Sequence, residues 1–333
     1  MSSHVTRFFL VSSLIGVLAS TAQASAISAI YAFGDSLSDA GNVYAATSGV
    51  EPGAPYSNGR FTNGNLWVQD LASNLGLPAV TASLLGGTDF AVGGAQSGTT
   101  PVHVGGAGDL QGNPFSQIAA FQALNPTGAN PNGLYTIWIG GDDIRALLTS
   151  SNPTATAPAE IAAVVKNIDN AITTLAGDGA KNFLVITVPD LGKIPESIAA
   201  GPLAVAAAST LSFDLNIALE ASLGSIETGD PLLNLKVVDT YSLIDGIVAD
   251  PSKFGLADVT DPCLTGAVNY SGGTACANPS QYLFWDQIHP TAAGHTIVAD
   301  AALATIVPEP ATLTMLGVGV LSLFAIRRRL SAA

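Results

Sequence analysis

The sequence predicts an α/β protein whose central, mainly parallel five-stranded sheet is covered by helices on both faces. Three observations predict it. Five short runs are β-rich and mostly apolar along their whole length, as strands shielded on both sides must be. Ala-rich stretches with apolar residues every three or four places lie between or after them, which implies strand–helix alternation and parallel pairing. The carboxyl ends of the runs carry Gly and polar clusters, "GDS", "GGAQSG", "GGDD" and "PDLG", where such a sheet places its chemistry.

In chain order, "ISAIYAF" near residues 28–34 is the first strand, and "LWVQDLASNL" (66–75) has helical apolar spacing. "TDFAV" (88–92) is the second strand and "LYTIWIG" (134–140) the third. Residues 158–177 form a helix before "NFLVITV" (182–188), and residues 203–224 form another before "LKVVD" (235–239). A last helix runs over 291–306, with Thr291 as its N-cap. No repeat or linker divides the mature chain. Gly-, Asn- and Pro-rich stretches at 48–65, 93–114 and 125–133 are long loops on one rim, and loops of that length in a compact domain are more often functional than idle.

Both ends of the 333-residue chain look like processing segments. Residues 1–24 have the three parts of a secretory signal peptide: Arg7, the apolar "FFLVSSLIGVLA", and the small-residue site "AQA" ending at Ala24. The other end reads "VPEPATLTMLGVGVLSLFAIRRRL", in which Ala311 to Ile326 are uncharged and three arginines follow. That span is marginal for a bilayer, which takes about 20 apolar residues, and the arginines would stay on the cytoplasmic side. Motif, apolar helix and basic end together resemble the PEP-CTERM sorting tail. The resemblance implies a transient membrane hold through 311–326, with cutting by an exosortase-type enzyme and release to the periplasm, outer surface or medium. The expected organisation is leader 1–24, one domain over 25–306 and sorting tail 307–333.

The chain has 25 Asp and Glu against 11 Lys and Arg. Arg7, Arg327, Arg328, Arg329 and Glu309 fall in the end segments, which leaves 24 acids against 7 bases between them. Such a surface repels nucleic acid and anionic lipid. The two cysteines, Cys263 and Cys276, read as a disulfide in an exported chain. They have no histidines at ligand spacing for a zinc site.

"YAFGDSLSDAGN" (31–42) ends the first strand in serines threaded between acids. Such residues serve as a helix cap or present a nucleophilic serine. A serine nucleophile needs a base. His4 leaves with the leader and His103 stands alone in a Gly-rich loop, so His289 and His295 of "FWDQIHPTAAGH" remain. Asp286, three residues before His289, is spaced to reach its Nδ1, whereas His295 falls within the last helix as a packing or capping residue. No serine is flanked as G-x-S-x-G, so the nucleophile elbow is absent.

"FGDSLSDAGN", "NGRFTNGNLWVQDLASNLGL", "FAVGGAQSG", "IWIGGDD", "VPDLGKIP", "VVDTYSLIDGIVADPSKFGL" and "CANPSQYLFWDQIHPTAAGH" follow the order of conserved segments in the GDSL esterases and lipases, the SGNH hydrolases, which the mature chain resembles along essentially its whole length. The resemblance implies a flavodoxin-like three-layer α/β/α fold and cofactor-free, metal-free hydrolysis of a small-molecule or lipid ester. It implies Ser36 as nucleophile, with Ser38 the alternative, His289 as base and acid, and Asp286 as the residue that orients it. It also implies an oxyanion hole from the N–H of Ser36, the N–H of Gly94 (Gly93 its neighbouring alternative) and a side chain at 142. At that last position the family's asparagine is replaced by Asp142, and a carboxylate has no hydrogen to donate. Three outcomes follow: a protonated Asp142, a slower enzyme on two backbone donors, or a substitute donor such as Asn63 or Asn65. Asp35, Asp39 and Asn42 are expected to fix turns. Trp67, Trp138 and Trp285 are expected in the core, and Phe61 and Phe284 near an acyl pocket. The alternatives to a lipid or short-chain esterase are an exopolysaccharide O-acetylesterase and a surface or matrix protein whose site is weakened at Asp142.

Overall fold

Strands that are apolar at every position leave no face for water, so each must be covered on both sides. The computed structural model describes residues 27–101 and 108–307, and four such strands form one sheet: β1 (Ala29–Gly34), β2 (Gly133–Trp138), β3 (Asn182–Ile186) and β4 (Asn234–Val238). All neighbours are parallel, in the order β1-β2-β3-β4, with Ala29 opposite Gly133, Leu134 opposite Asn182 and Asn182 opposite Asn234. The leader (1–24), the apolar span 311–326 and His103 lie outside the described residues.

Alternation along the strands sorts their side chains into two cores. Phe33, Tyr135, Ile137, Phe183 and Val185 face the helices Gln117–Leu124, Gly141–Thr149, Pro153–Gly177 and Pro202–Gly229. Ile30, Ala32, Leu134, Trp138, Leu184 and Ile186 face Trp67–Asn74 and Ala292–Ile306. This is the expected three-layer arrangement. Pro153 at the first position of its helix carries that element further upstream than the expected start at 158, because the missing N–H costs nothing there. Pro202–Gly229 is long and apolar enough to cross a membrane by length and composition, yet it lays Leu215, Leu219 and Leu223 into the core.

The expected fifth strand needs correction. Residues 88–92 form only isolated bridges, of Asp89 with Ala32 and with Ala82. They do run beside β1: Ala32 N donates to Thr88 O, Phe90 N to Ala32 O and Val92 N to Gly34 O. On the side away from β1 the run is held locally: the buried Asp89 carboxylate accepts from Ala40 N and Ala91 N, and Asp89 N donates to Thr81 O. The chain nevertheless leaves β1 to one side for 88–92 and to the other for β2. That reversal makes the carboxyl end of β1 the switch point where such sheets open a crevice.

Four short strands near the end of the domain were not expected. β5 (Asp258–Pro262) pairs in parallel with β8 (Tyr282–Phe284), and β6 (Leu264–Thr265) pairs antiparallel with β7 (Thr274–Ala275). Cys263 and Cys276 are disulfide-bonded, as expected, across the base of the β6–β7 hairpin. Cys263 N and Leu264 N donate to the carbonyls of Phe284 and Trp285, so the crosslinked hairpin is hydrogen-bonded to the loop that carries Asp286 and His289. Closing so short a loop adds about 3 kcal/mol by the chain-entropy argument.

Candidate active site

Gly34 ends β1 with φ +153, and a Cβ there would sit 2.2 Å from Trp138 O. Only glycine lets the chain turn so close to β2. Asp35 Oδ1 then accepts from Leu37 N at 2.9 Å, which fixes the turn and presents Ser36. On the other side of the crevice, β8 runs into a loop closed by Asp286 Oδ1, which accepts from Ile288 N (2.9 Å) and His289 N (2.8 Å). Thr291 caps the following helix through Gly294 N, as its sequence position implied.

These two segments bring Ser36, His289 and Asp286 into one row. His289 Nε2 lies 2.8 Å from Ser36 Oγ, and His289 Nδ1 lies 2.8 Å from Asp286 Oδ2. Burial works to raise the Asp286 pKa, but the charge and hydrogen bond of His289, the Ile288 N–H and the Tyr56 hydroxyl outweigh it and hold the carboxyl at about 2. Tyr56, which sequence reasoning missed, donates to Asp286 Oδ2 at 2.7 Å from 230 positions away. Phe61 packs on the imidazole, ring centroids 5.3 Å apart.

Two backbone N–H groups in this crevice, those of Ser36 and Gly94, have no hydrogen-bond partner among the described residues. The neighbouring candidate is occupied: Gly93 N donates to Asp39 Oδ2 at 2.9 Å. Glycine at 94 is set by its backbone conformation. A Cβ there would meet nothing within 4 Å, and the requirement is its φ of +77. Asp39 also accepts from Gly41, Asn42 and Val43, while Asn42 donates to Asp89 O and Ala91 O. Both therefore tie loops, as expected. Ser38 is fully buried and accepts from Trp67 Nε1.

Asp142 lines the pocket beside Ser36, Gly93 and Gly94, but its Oδ1 accepts from Arg145 Nη1 at 2.8 Å. Arg145 in turn grips Glu196 through Nε (2.9 Å) and Nη2 (3.0 Å). Neither substitute donor weighed from sequence lines that pocket: Asn63 Oδ1 accepts from Ala292 N and Asn65 Nδ2 donates to Asp70. Asp35 is buried, and burial first, then the nearby Asp142 charge, push its pKa well above the usual range.

The three tryptophans are all buried, and Trp138 with Phe284 also lines an apolar cleft that opens at Ser36 and His289. Leu37, Leu191, Ile194, Ile244 and Val298 add apolar walls, and Asp35, Asp142, Arg145 and Asp190 also line it.

His295 is packed in the core, and neither ring nitrogen has a hydrogen-bond partner among the described residues. Burial, aided by His289 and Arg60, pushes its pKa from 6.5 down to about 3. Between those values the unfolded chain binds the extra proton, so stability falls as pH drops from 6.5 toward 3. Going from pH 7 to pH 5 costs about 2 kcal/mol from this one group. The urea-melt stability of the wild type relative to His295→Leu is expected to fall by that amount over the interval, the other buried acids titrating equally in both proteins. A difference that stays constant with pH contradicts the neutral buried ring.

Residues 30–302 match the sequence profile of the GDSL-like Lipase/Acylhydrolase family. The chain belongs to that family. Hydrolysis of carboxylic esters, the enzyme class of GDSL proteins, is therefore its class as well. Residues 307–329 match the PEP-CTERM protein-sorting motif. The chain is 26% identical to the thermolabile hemolysin of Vibrio parahaemolyticus, over 84% of its own length and 64% of the hemolysin's. It is 26% identical to the phosphatidylcholine-sterol acyltransferase of Aeromonas hydrophila, over 87% and 94% of the two chains. A GDSL esterase/lipase of Arabidopsis thaliana is 27% identical, with 89% of each chain covered. Among solved structures, LAE5, an alpha/beta hydrolase from the metagenome of Lake Arreo, overlaps 84% of this chain and 95% of its own with 18% identity and a TM-score of 0.43.

Proposed function

We propose that this GDSL hydrolase is an exported serine esterase that cleaves acyl esters through Ser36, His289 and Asp286. The observation that carries the reading is the continuous row of two 2.8 Å contacts from Ser36 Oγ through His289 to Asp286 Oδ2. Ser36 Oγ attacks the ester carbonyl while His289 Nε2 takes its proton, and Asp286 holds the Nδ1–H and stabilises the imidazolium. The negative oxygen of the tetrahedral intermediate accepts from the N–H groups of Ser36 and Gly94. His289 then hands its proton to the leaving alkoxide, which departs as the alcohol. Water attacks the acyl-serine with His289 again as base, and collapse of the second intermediate returns the proton to Ser36 and releases the carboxylic acid.

The apolar cleft beside Ser36 supports an acyl chain longer than acetyl, which favours a lipid or medium-chain ester over an acetylated polysaccharide. On p-nitrophenyl esters from two to sixteen carbons, kcat/KM is expected to rise from the acetyl ester to a maximum at a longer chain. A maximum at two carbons, together with release of acetate from an acetylated polysaccharide, contradicts that preference. The sorting motif supports export: the leader 1–24 is removed, the domain 25–306 folds outside the cytoplasm, and the tail 307–333 is processed by an exosortase-type enzyme.

A further inference from the structure

Two consecutive residues in the left-handed region form the tip of the disulfide-closed hairpin. Val268 and Ser271 exchange both backbone hydrogen bonds (3.0 and 3.1 Å), leaving Asn269 (φ 47) and Tyr270 (φ 51) as a two-residue turn. Such turns favour asparagine first and glycine second. A tyrosine in the second place is a conformational outlier, and outliers persist where the surroundings hold them, often at functional sites. The surroundings here are specific. Gly53 N donates to Tyr270 O at 2.9 Å and Gly272 N to Ala54 O at 2.7 Å. The ring packs edge-on against Phe61, with centroids 5.0 Å apart, and against His289 at 5.6 Å.

Tyr270 lines the pocket formed by Ser36, Gly93, Gly94 and Asp142, and also the adjoining one that contains Arg145 and Glu196. Its hydroxyl has no hydrogen-bond partner among the described residues. Burial first, and then the charges of Arg145, Asp286, Asp142 and Glu196, act on the phenol and leave its pKa raised, so it remains a donor. Asp142 meanwhile spends Oδ1 on Arg145 and offers no hydrogen to an oxyanion.

We propose that Tyr270 is a catalytic residue of this enzyme, its hydroxyl donating to the oxyanion in the place that a side-chain donor at position 142 would fill. The inference rests on Ser36 as nucleophile. The strained turn holds the ring against His289 in the pocket that Ser36 lines, and the proton stays on the tyrosine throughout: it is a hydrogen bond, with no transfer.

The test is a kinetic cycle on the full chain with a p-nitrophenyl ester. Tyr270→Phe keeps the ring on His289 and removes only the hydroxyl. Its kcat is expected to fall on the order of 10²-fold, the value of one such donor, with KM changed less than about 3-fold and the melting temperature unchanged. Asp142→Asn keeps an oxygen for Arg145 and frees an N–H, so in the Tyr270→Phe background it is expected to restore most of the lost kcat. In the wild-type background the same change is expected to raise kcat less than about 10-fold, because the donor's place is already filled. A Tyr270→Phe variant within 2-fold of wild type in kcat overturns the proposal. So does an equal effect of Asp142→Asn in both backgrounds, the result a merely structural tyrosine gives. A rise on the order of 10²-fold from Asp142→Asn alone also overturns it, and that arm does not depend on how the tyrosine variant folds. Fluorophosphonate labelling of Ser36 in Tyr270→Phe keeps the two readings apart: label that persists leaves the serine in place whatever the cycle returns.

Discussion

Replacing Ser36 with alanine is expected to lower kcat on a p-nitrophenyl ester by about 10⁶-fold, and His289→Ala to do equal damage, with the double variant no worse than either. The equality follows from the geometry. Ser36 Oγ has its 2.8 Å contact to His289 Nε2, and neither group has chemistry to perform without the other. What survives is the backbone oxyanion site and binding, which act on a water molecule instead of on the serine. Unchanged melting temperatures, measured alongside, separate lost chemistry from lost fold. Additive losses, with the double variant far below both singles, would mean that the two residues act in separate steps.

Asp286→Asn is the second large effect, with an expected loss on the order of 10⁴ in kcat at neutral pH. Asp286 accepts four hydrogen bonds: from Ile288 N and His289 N on Oδ1, and from His289 Nδ1 and the Tyr56 hydroxyl on Oδ2. An amide has one oxygen. With that oxygen kept for the two backbone donors that shape the loop, its NH₂ group faces His289 Nδ1 and donates to it. The ring proton is then forced onto Nε2, where it points at Ser36 Oγ and blocks its role as base. A loss below about 10-fold would show that another group sets the tautomer. A melting temperature that falls with activity would place the damage in the loop instead of in the ring.

The parts of this molecule that were readable from sequence are those whose cause is local. Uninterrupted apolar runs announced β1 to β4, and the alternation within them set the two cores. The turn after Gly34 and the Asp286–His289 spacing lie within a few residues, so their geometry is written in the motif. Residues 88–92 had the same apolar look as a strand and do run beside β1, but they form isolated bridges only. Tyr56 and Tyr270 were invisible because only the folded loops bring them to Asp286 and His289, and no spacing rule links position 56 to position 286. Arg145 stands one helical turn beyond Asp142, so their pairing was open to inference from spacing. Its second carboxylate, Glu196, comes from a separate helix.

The central claim is that the hydroxyl at the end of β1 is the group that takes up the acyl chain. Incubating the protein with a fluorophosphonate, digesting it and mapping the adduct by mass spectrometry tests this most directly. The account predicts one adduct, on Ser36, that is absent from both Ser36→Ala and His289→Ala. An adduct on Ser38 or on any other serine, or one that forms at the wild-type rate without His289, would contradict it.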